Sequence, residues 1–506
     1  MAIDLTNRLD VVRKSLNCST CRLQRSSIGQ FLTSAKIARF MASLFQHERG
    51  SVRILDAGAG TGVLFAACVE AYVSGKQRPL LIDVVAYEND QKLLPYLKET
   101  MSRCESTCNR AGISFQGEIR AEDFVAAAIA ETEANLFAVQ GERFTHAILN
   151  PPYKKINSQT PTRRLLDASG IGVSNLYAAF VWLSARMLRP GGEMVAITPR
   201  SFCNGPYFRR FRVRFLDMMG LRSIHVFESR NKAFGDDDVL QENVIYHAVR
   251  EQRKPEHVIV TSSAGLDFHK SRSRSVPYDH VVLPGDRDAF IHLVLDDTDD
   301  RVMERMGAFG TSLVKLGFDV STGRVVDFRV REYLQSLPED GTLPLIHPCH
   351  FDAGFVSWPV QSTKKPNAII ASVRTRDLMV QAGYYVLTKR FSAKEEPRRV
   401  VAAIYDPSRI EAPFVGFENH LNYFHAKGKD LAANLAKGLA LYLNSSLFDQ
   451  YFRLFSGHTQ VNATDLRKMR YPTREQLFRL GAHVRDRMPD QETVDKILEK
   501  ECNSDG

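Results

Sequence analysis

Long apolar runs are missing from this chain. No stretch of its 506 residues approaches the roughly 20 residues a bilayer span needs, and the first residues carry no signal-peptide core. Neither membrane insertion nor secretion is therefore expected. Cysteine is scarce: 8 thiols are scattered without paired spacing, which excludes a disulfide framework and points to a reduced, cytoplasmic setting. Cys18-Ser-Thr-Cys21 is the one CxxC, and with no second pair or His pair behind it no metal is expected. Internal repeats and low-complexity tracts are also absent, which excludes solenoids and disordered arrays.

An acidic surplus is lacking too. The formal net charge is +9, and the basic side chains are not spread evenly. Residues 186–232 carry ten Lys and Arg against three acids, and residues 364–399 carry nine against three. Stripes of this kind suit a polyanion such as a phosphate backbone, or simply a solvated face. With 44% hydrophobic and 25% charged residues over this length, two or three globular domains are expected.

What the sequence does contain is a strand-and-helix rhythm across residues 50–250 that predicts a doubly wound α/β sheet. Arg53-Ile-Leu-Asp56 runs as a strand into Ala57-Gly58-Ala-Gly60-Thr-Gly62, followed by an apolar helix from Val63. Glycines at that turn let backbone approach a ligand closely. The next strand, Ile82–Tyr87, ends in Glu88, placed to accept both hydroxyls of a ribose. NAD and S-adenosylmethionine both use this arrangement. The turn lacks a pyrophosphate-type GxGxxG, and Asp56 would face a cationic sulfonium, so S-adenosylmethionine is favoured. After a third strand, Asp123-Phe124 either contacts an adenine, by amine and ring face, or simply starts a helix. Upstream, Thr33 or Ser34 is placed to cap the helix that carries Ile37, Met41 and Phe45.

The fourth strand, 144–149, ends in Asn150-Pro151-Pro152-Tyr153. Two prolines cannot continue a ladder, so they fix a rigid loop at the strand's carboxyl end, where ligands of open α/β sheets sit. The Asn150 side-chain oxygen and the Pro151 carbonyl are then two acceptors at fixed separation. They suit a planar NH2 conjugated to a ring: accepting both hydrogens frees the nitrogen lone pair to attack a methyl sulfonium. Catalysis would rest on orientation and electrostatics rather than on a strong base. Tyr153 offers a face for the substrate ring, and a duplex base must be flipped out to reach it.

With these residues in place, the chain resembles the N6-adenine DNA methyltransferases of type II restriction–modification systems, in gamma-class motif order and closest to the PstI/BsuBI-like modification methylases. Gln30-Phe31-Leu-Thr33-Ser34 is similar to the family element that closes over the cofactor's methionine. Asp56–Gly62, Glu88, Asp123-Phe124 and Asn150–Tyr153 match its glycine, ribose, adenine and catalytic motifs. The family's second aromatic against the flipped base falls best on Phe234, with Phe227 next.

The resemblance implies three segments: a Rossmann-type class I methyltransferase domain over 1–250, a linker over 251–285, and a mixed α+β DNA target-recognition domain over 286–506. It further implies S-adenosylmethionine as cofactor, double-stranded DNA as partner, and a separate restriction endonuclease against which the DNA is protected. Lys364, Lys365, Thr459 and Gln460 are candidate DNA contacts. Cytosine-N4, RNA or protein-glutamine methylation, and a DNA-binding subunit without activity, are the competing readings.

Overall fold

The computed structural model describes residues 4–19, 32–46, 50–134, 143–227, 243–251, 253–361, 364–392, 396–455 and 460–503. The chain divides into two units, Met1–Leu295 and Asp296–Gly506. Among the described residues no helix is long and apolar enough to cross a membrane.

The first unit is built on a nine-stranded sheet. Its strands are β1 Ser51–Ala57, β2 Leu81–Tyr87, β3 Ser114–Arg120, β4 Phe144–Leu149, β5 Leu188–Pro199, β6 Met219–Phe227, β7 Asn243–Arg250, β8 His257–Ser263 and β9 Arg272–Pro277. They lie in the order β3-β2-β1-β4-β5-β7-β6-β8-β9. β1 to β5 pair in parallel, whereas β7 is antiparallel to both β5 and β6. Every residue of β4 is buried, as expected of a central parallel strand covered on both faces.

Helices α1 Leu5–Ser19, α2 Ala35–Ala42, α3 Val63–Ser74 and α4 Leu94–Arg110 cover one face, where Ile37, Met41, Phe65 and Leu97 meet Val52 and Ile54 of β1. The alternate residue of β1, Leu55, belongs to the opposite face, which receives α5 Phe124–Ala134, α6 Pro161–Ala168, α7 Leu176–Met187 and α8 Arg209–Met218. Ser34 caps α2, its hydroxyl accepting from Ile37 N at 3.5 Å.

The stretch 251–285 is not a linker in the structure. β8 pairs in parallel with β6 and β9 antiparallel with β8, so both extend the first sheet. The polar sequence Arg272-Ser-Arg-Ser-Val-Pro277 resembles a connector because it forms the outermost strand, where only Val276 is buried.

The second unit is mixed α+β. A six-stranded sheet and a five-stranded sheet are made of strands two to five residues long, paired mostly antiparallel. Helices Ala433–Leu443 and Arg474–Ala482 pack so closely that a Cβ on Gly438 would lie 1.8 Å from Leu477 O, and one on Gly481 1.9 Å from Asn434 O. The apolar periodicity predicts one helix from about Leu431 to Phe455; the structure breaks it into Ala433–Leu443 and Ser446–Phe455. Asn444 explains the break. Its amide bonds both backbone groups of Ala402, accepting at 3.0 Å and donating at 2.9 Å, and so ties the turn to a strand.

Candidate active site

The carboxyl ends of β1, β2 and β4 open onto one cavity of about 1060 Å³, its mouth included. Leu32, Thr33, Gly58, Gly60, Glu88, Asp123, Phe124, Asn150 and Pro152 are among its lining residues, so segments more than a hundred residues apart converge here.

The turn after β1 is shaped by glycine. Gly60 has φ +59°, and a Cβ there would stand 3.1 Å from Leu32, filling the space above the turn. Gly62 has φ +85°, and a Cβ would strike the Phe65 ring at 2.5 Å. Glu88, buried at the end of β2, holds the turn: Oε2 accepts from Gly60 N and Oε1 from Asp90 N, each at 2.8 Å. Burial raises its carboxyl above the ordinary range despite these bonds. Each oxygen keeps a lone pair for a ligand hydroxyl.

Asp56 behaves differently from expectation. It is fully buried and absent from the cavity lining, and its Oδ2 accepts from Phe65 N at 3.3 Å, at the start of α3. It therefore braces the turn from behind instead of facing a ligand. Burial, with Glu88 nearby, pushes its carboxyl up to about 8. Ala57, also fully buried, closes β1 beside it.

Asp123 and Phe124 both line the cavity. Asp123 also begins α5, its Oδ1 accepting from Ala126 N at 2.9 Å, so the capping and ligand readings coexist. The Phe124 ring is buried against Tyr87 and Phe180, with centroids at 5.1 and 4.9 Å. Phe180, on α7, also reaches the cavity.

At the opposite wall, Asn150 is held from two sides. Its Nδ2 donates to Thr33 Oγ1 at 2.9 Å, and its Oδ1 accepts from the Tyr153 hydroxyl at 3.0 Å. That hydroxyl is also 3.4 Å from Ile197 O, and burial pushes it well above the ordinary phenol range. It stays a donor at every working pH. Pro151 is buried and Pro152 lines the cavity, so the motif forms a stiff corner. Lys154 joins the lining directly after the motif, although sequence reasoning passed over it.

Phe31, Phe234 and Thr459 lie outside the described residues. Phe227 packs beside His225 and Phe268, with centroids at 4.9 and 6.2 Å. In the second unit, Lys364 is exposed, the Lys365 ammonium sits 3.1 Å from Asp327 Oδ2, and Gln460 makes an isolated bridge with Phe391. Asp327, His347 and Glu418 bring their side-chain atoms within 4.8 Å of one another. Lys365 already neutralises the first of these acids, and the backbone N–H of His420 donates to the last at 2.8 Å.

A parallel sheet closed by an antiparallel seventh strand, with a glycine turn after β1, an acid after β2 and Asn-Pro-Pro-Tyr after β4, defines a class I methyltransferase. A family model described as Eco57I restriction-modification methylase matches residues 34–234. Type II methyltransferase M.PstI of Providencia stuartii is 43% identical over 499 residues, covering 98% of this chain and 97% of the relative. Type II methyltransferase M.BsuBI of Bacillus subtilis is 42% identical over 505 residues, covering 98% of each. The chain belongs to this family of type II restriction–modification methyltransferases. Among solved structures, the type IIL restriction-modification enzyme MmeI in complex with DNA shares the fold, with a TM-score of 0.54 at 10% identity over 99% of this chain and 75% of that one.

Proposed function

We propose that the protein transfers a methyl group from S-adenosylmethionine to the exocyclic N6 amine of an adenine flipped out of double-stranded DNA. The observation that carries this reading is Asn150, an amide fixed at the cavity wall by Thr33 and Tyr153. The residues fit the cofactor: Glu88 for the ribose hydroxyls, Asp123 and Phe124 with Phe180 for the adenine, the space over Gly60 for close backbone approach, and Thr33 toward the methionine end. When bound, it supplies an electrophilic methyl group.

The chain's own part is orientation. Asn150 Oδ1, oriented by the Tyr153 hydroxyl, is one acceptor for the amine, and the Pro151 carbonyl is its companion. Together they accept the two amine hydrogens, which concentrates the lone pair on nitrogen and stabilises the positive charge that develops there. The proton leaves after transfer, so no base has to act before it.

In this reading Met1–Leu295 is the catalytic unit and Asp296–Gly506 the DNA target-recognition unit. The protein works in the cytoplasm, where its product shields DNA from a separate cognate endonuclease. The leading Asn of the motif supports adenine over cytosine.

The test is methylation of DNA with labelled S-adenosylmethionine, followed by digestion and identification of the nucleoside. N6-methyladenine is expected; N4-methylcytosine, or label in RNA or protein, would replace this reading. Asn150→Ala should lower the rate at least about 1,000-fold, the scale of losing a preorganised polar group, while cofactor affinity by calorimetry stays near wild type.

A further inference from the structure

Beside the catalytic corner lies a surface that the pocket chemistry does not use. After Tyr153 the chain runs as a short two-stranded flap. Leu176 N donates to Lys154 O at 2.8 Å and Ile156 N to Ser174 O at 2.9 Å, with an isolated bridge between Lys155 and Asn175. α8 lies against the turn that leads into the second of these strands. Arg214 Nη1 donates to Gly170 O at 2.7 Å, and a Cβ on Gly172 would sit 3.4 Å from Arg210 Nη1. Lys154 lines the cavity, Lys155 follows it in the first of these strands, and Arg210 and Arg214 meet the turn that leads into the second; all four are exposed.

Asp167 pairs with Arg163 at 2.7 Å and Asp288 with Arg209 at 3.0 Å, and from Arg200 to Leu216 the sequence has no acid. Asp217 is the next acid along α8.

Tyr207 stands at the start of this helix with 80% of its surface exposed. Its support is rigid. The buried Arg212 donates from Nη1 to Phe202 O and to Gly205 O, both at 2.9 Å, and from Nη2 to Asp288 O at 2.8 Å. The adjacent Phe208 is buried and stacks on Tyr177 at 5.3 Å, and Tyr177 meets Tyr153 edge-on at 6.3 Å. Packed rings thus run from Tyr153 through Tyr177 to Phe208, and the exposed Tyr207 precedes Phe208 in sequence, with Arg209 and Arg210 following. Exposed rings interleaved with basic side chains suit stacked bases and phosphates better than any apolar partner.

We infer that this surface docks the DNA strand from which the base is extruded, with Lys155 and Arg210 on its phosphates and Tyr207 stacked on a base beside the gap. The inference rests on the DNA reading above and adds to it the side of the catalytic unit that grips the strand.

The test uses the full chain and a duplex oligonucleotide carrying a sequence the wild-type protein methylates, both fully paired and with an abasic position opposite the target. Tyr207→Ala should slow single-turnover methylation of the paired duplex by about 10-fold, within the range of one lost base–aromatic stack. The loss should shrink on the abasic duplex, where extrusion is easier, and Tyr207→Trp should restore the paired rate. The double variant Lys155→Ala, Arg210→Ala should reduce the slope of log affinity against log salt by about 1.8, the sum for two phosphate contacts.

Cofactor affinity and melting temperature should stay at wild-type values, since these side chains are exposed. Wild-type rates and salt slopes in the variants, or an equal loss on both duplexes for Tyr207→Ala, would overturn the inference and leave the proposed function standing. Failure of the wild-type protein to methylate DNA would instead remove that function.

Discussion

In the proposed reaction Asn150 is the residue on which the chemistry turns, and hydrogen bonds reach it from separate parts of the chain. Thr33 lies 117 positions upstream; Tyr153 is three downstream in the same motif. Tyr153→Phe keeps the ring but removes the hydroxyl, and Thr33→Val keeps the shape but removes the acceptor. Each should lower the single-turnover rate by roughly tenfold, about 1.4 kcal/mol, near the upper end for one hydrogen bond. Tyr153→Phe should leave cofactor affinity unchanged, as read by calorimetry beside the rate.

Sequence alone points to both residues, because Asn-Pro-Pro-Tyr and the upstream Thr are local patterns. It does not show that Thr33 meets Asn150, since that contact depends on how α2 packs. Asp56 marks the same limit: the pattern puts an acid at the strand end, but only the packing shows it turned from the cavity. Its folded-state pKa of about 8 lies above the ordinary 3.8, so the folded chain holds the proton more tightly than the unfolded chain. Its contribution to stability is full below pH about 4 and is lost as pH rises through about 8. Asp56→Asn should flatten that fall, which for one proton is at most about 1.4 kcal/mol per pH unit. Urea unfolding at pH 5, 6.5 and 8 reads it, and equal slopes for wild type and variant would refute the assignment.

Elements differ in how openly the sequence declares them. β1, β2 and β4 are short apolar runs ended by glycine, acid or proline, and each is legible. β9 is not, because an edge strand has no buried face to keep apolar, and Arg272-Ser-Arg-Ser resembles a connector. The helix break at Asn444 is hidden for a related reason: an apolar period continues through it, while the Asn side chain answers to a strand 42 residues away. Gly438 and Gly481 are equally silent in sequence, yet they let two helices meet backbone to backbone. Gly481→Ala would place a Cβ 1.9 Å from Asn434 O, so the helices must separate. A loss of about 1–3 kcal/mol is expected from overpacking of this kind. It should appear as a lower urea midpoint, with cofactor affinity unchanged because the described cavity lies wholly within the first unit.

At the scale of the molecule, the two units present different problems to a reader of sequence. The first follows a rhythm of strand and helix in which neighbours in sequence are neighbours in space. The second joins strands of two to five residues across long intervals, such as Asp319–Thr322 with Leu421–His425, and such pairings leave no periodic trace. Its basic stripe, by contrast, is visible in composition, and the structure separates its members. Both lysines are exposed, but the Lys365 ammonium is drawn to Asp327, which charge counting cannot reveal. If the second unit recognises DNA, these two lysines should differ. Lys364→Ala should reduce the salt slope of DNA binding by up to about 0.9, one phosphate contact. Lys365→Ala should change that slope less, because its ammonium is already engaged by Asp327, and should change stability little, since the pair is partly exposed. Binding of a methylatable duplex at several salt concentrations, read beside melting temperature, distinguishes the two. Equal salt slopes would mean that the Asp327 contact does not govern how Lys365 is used.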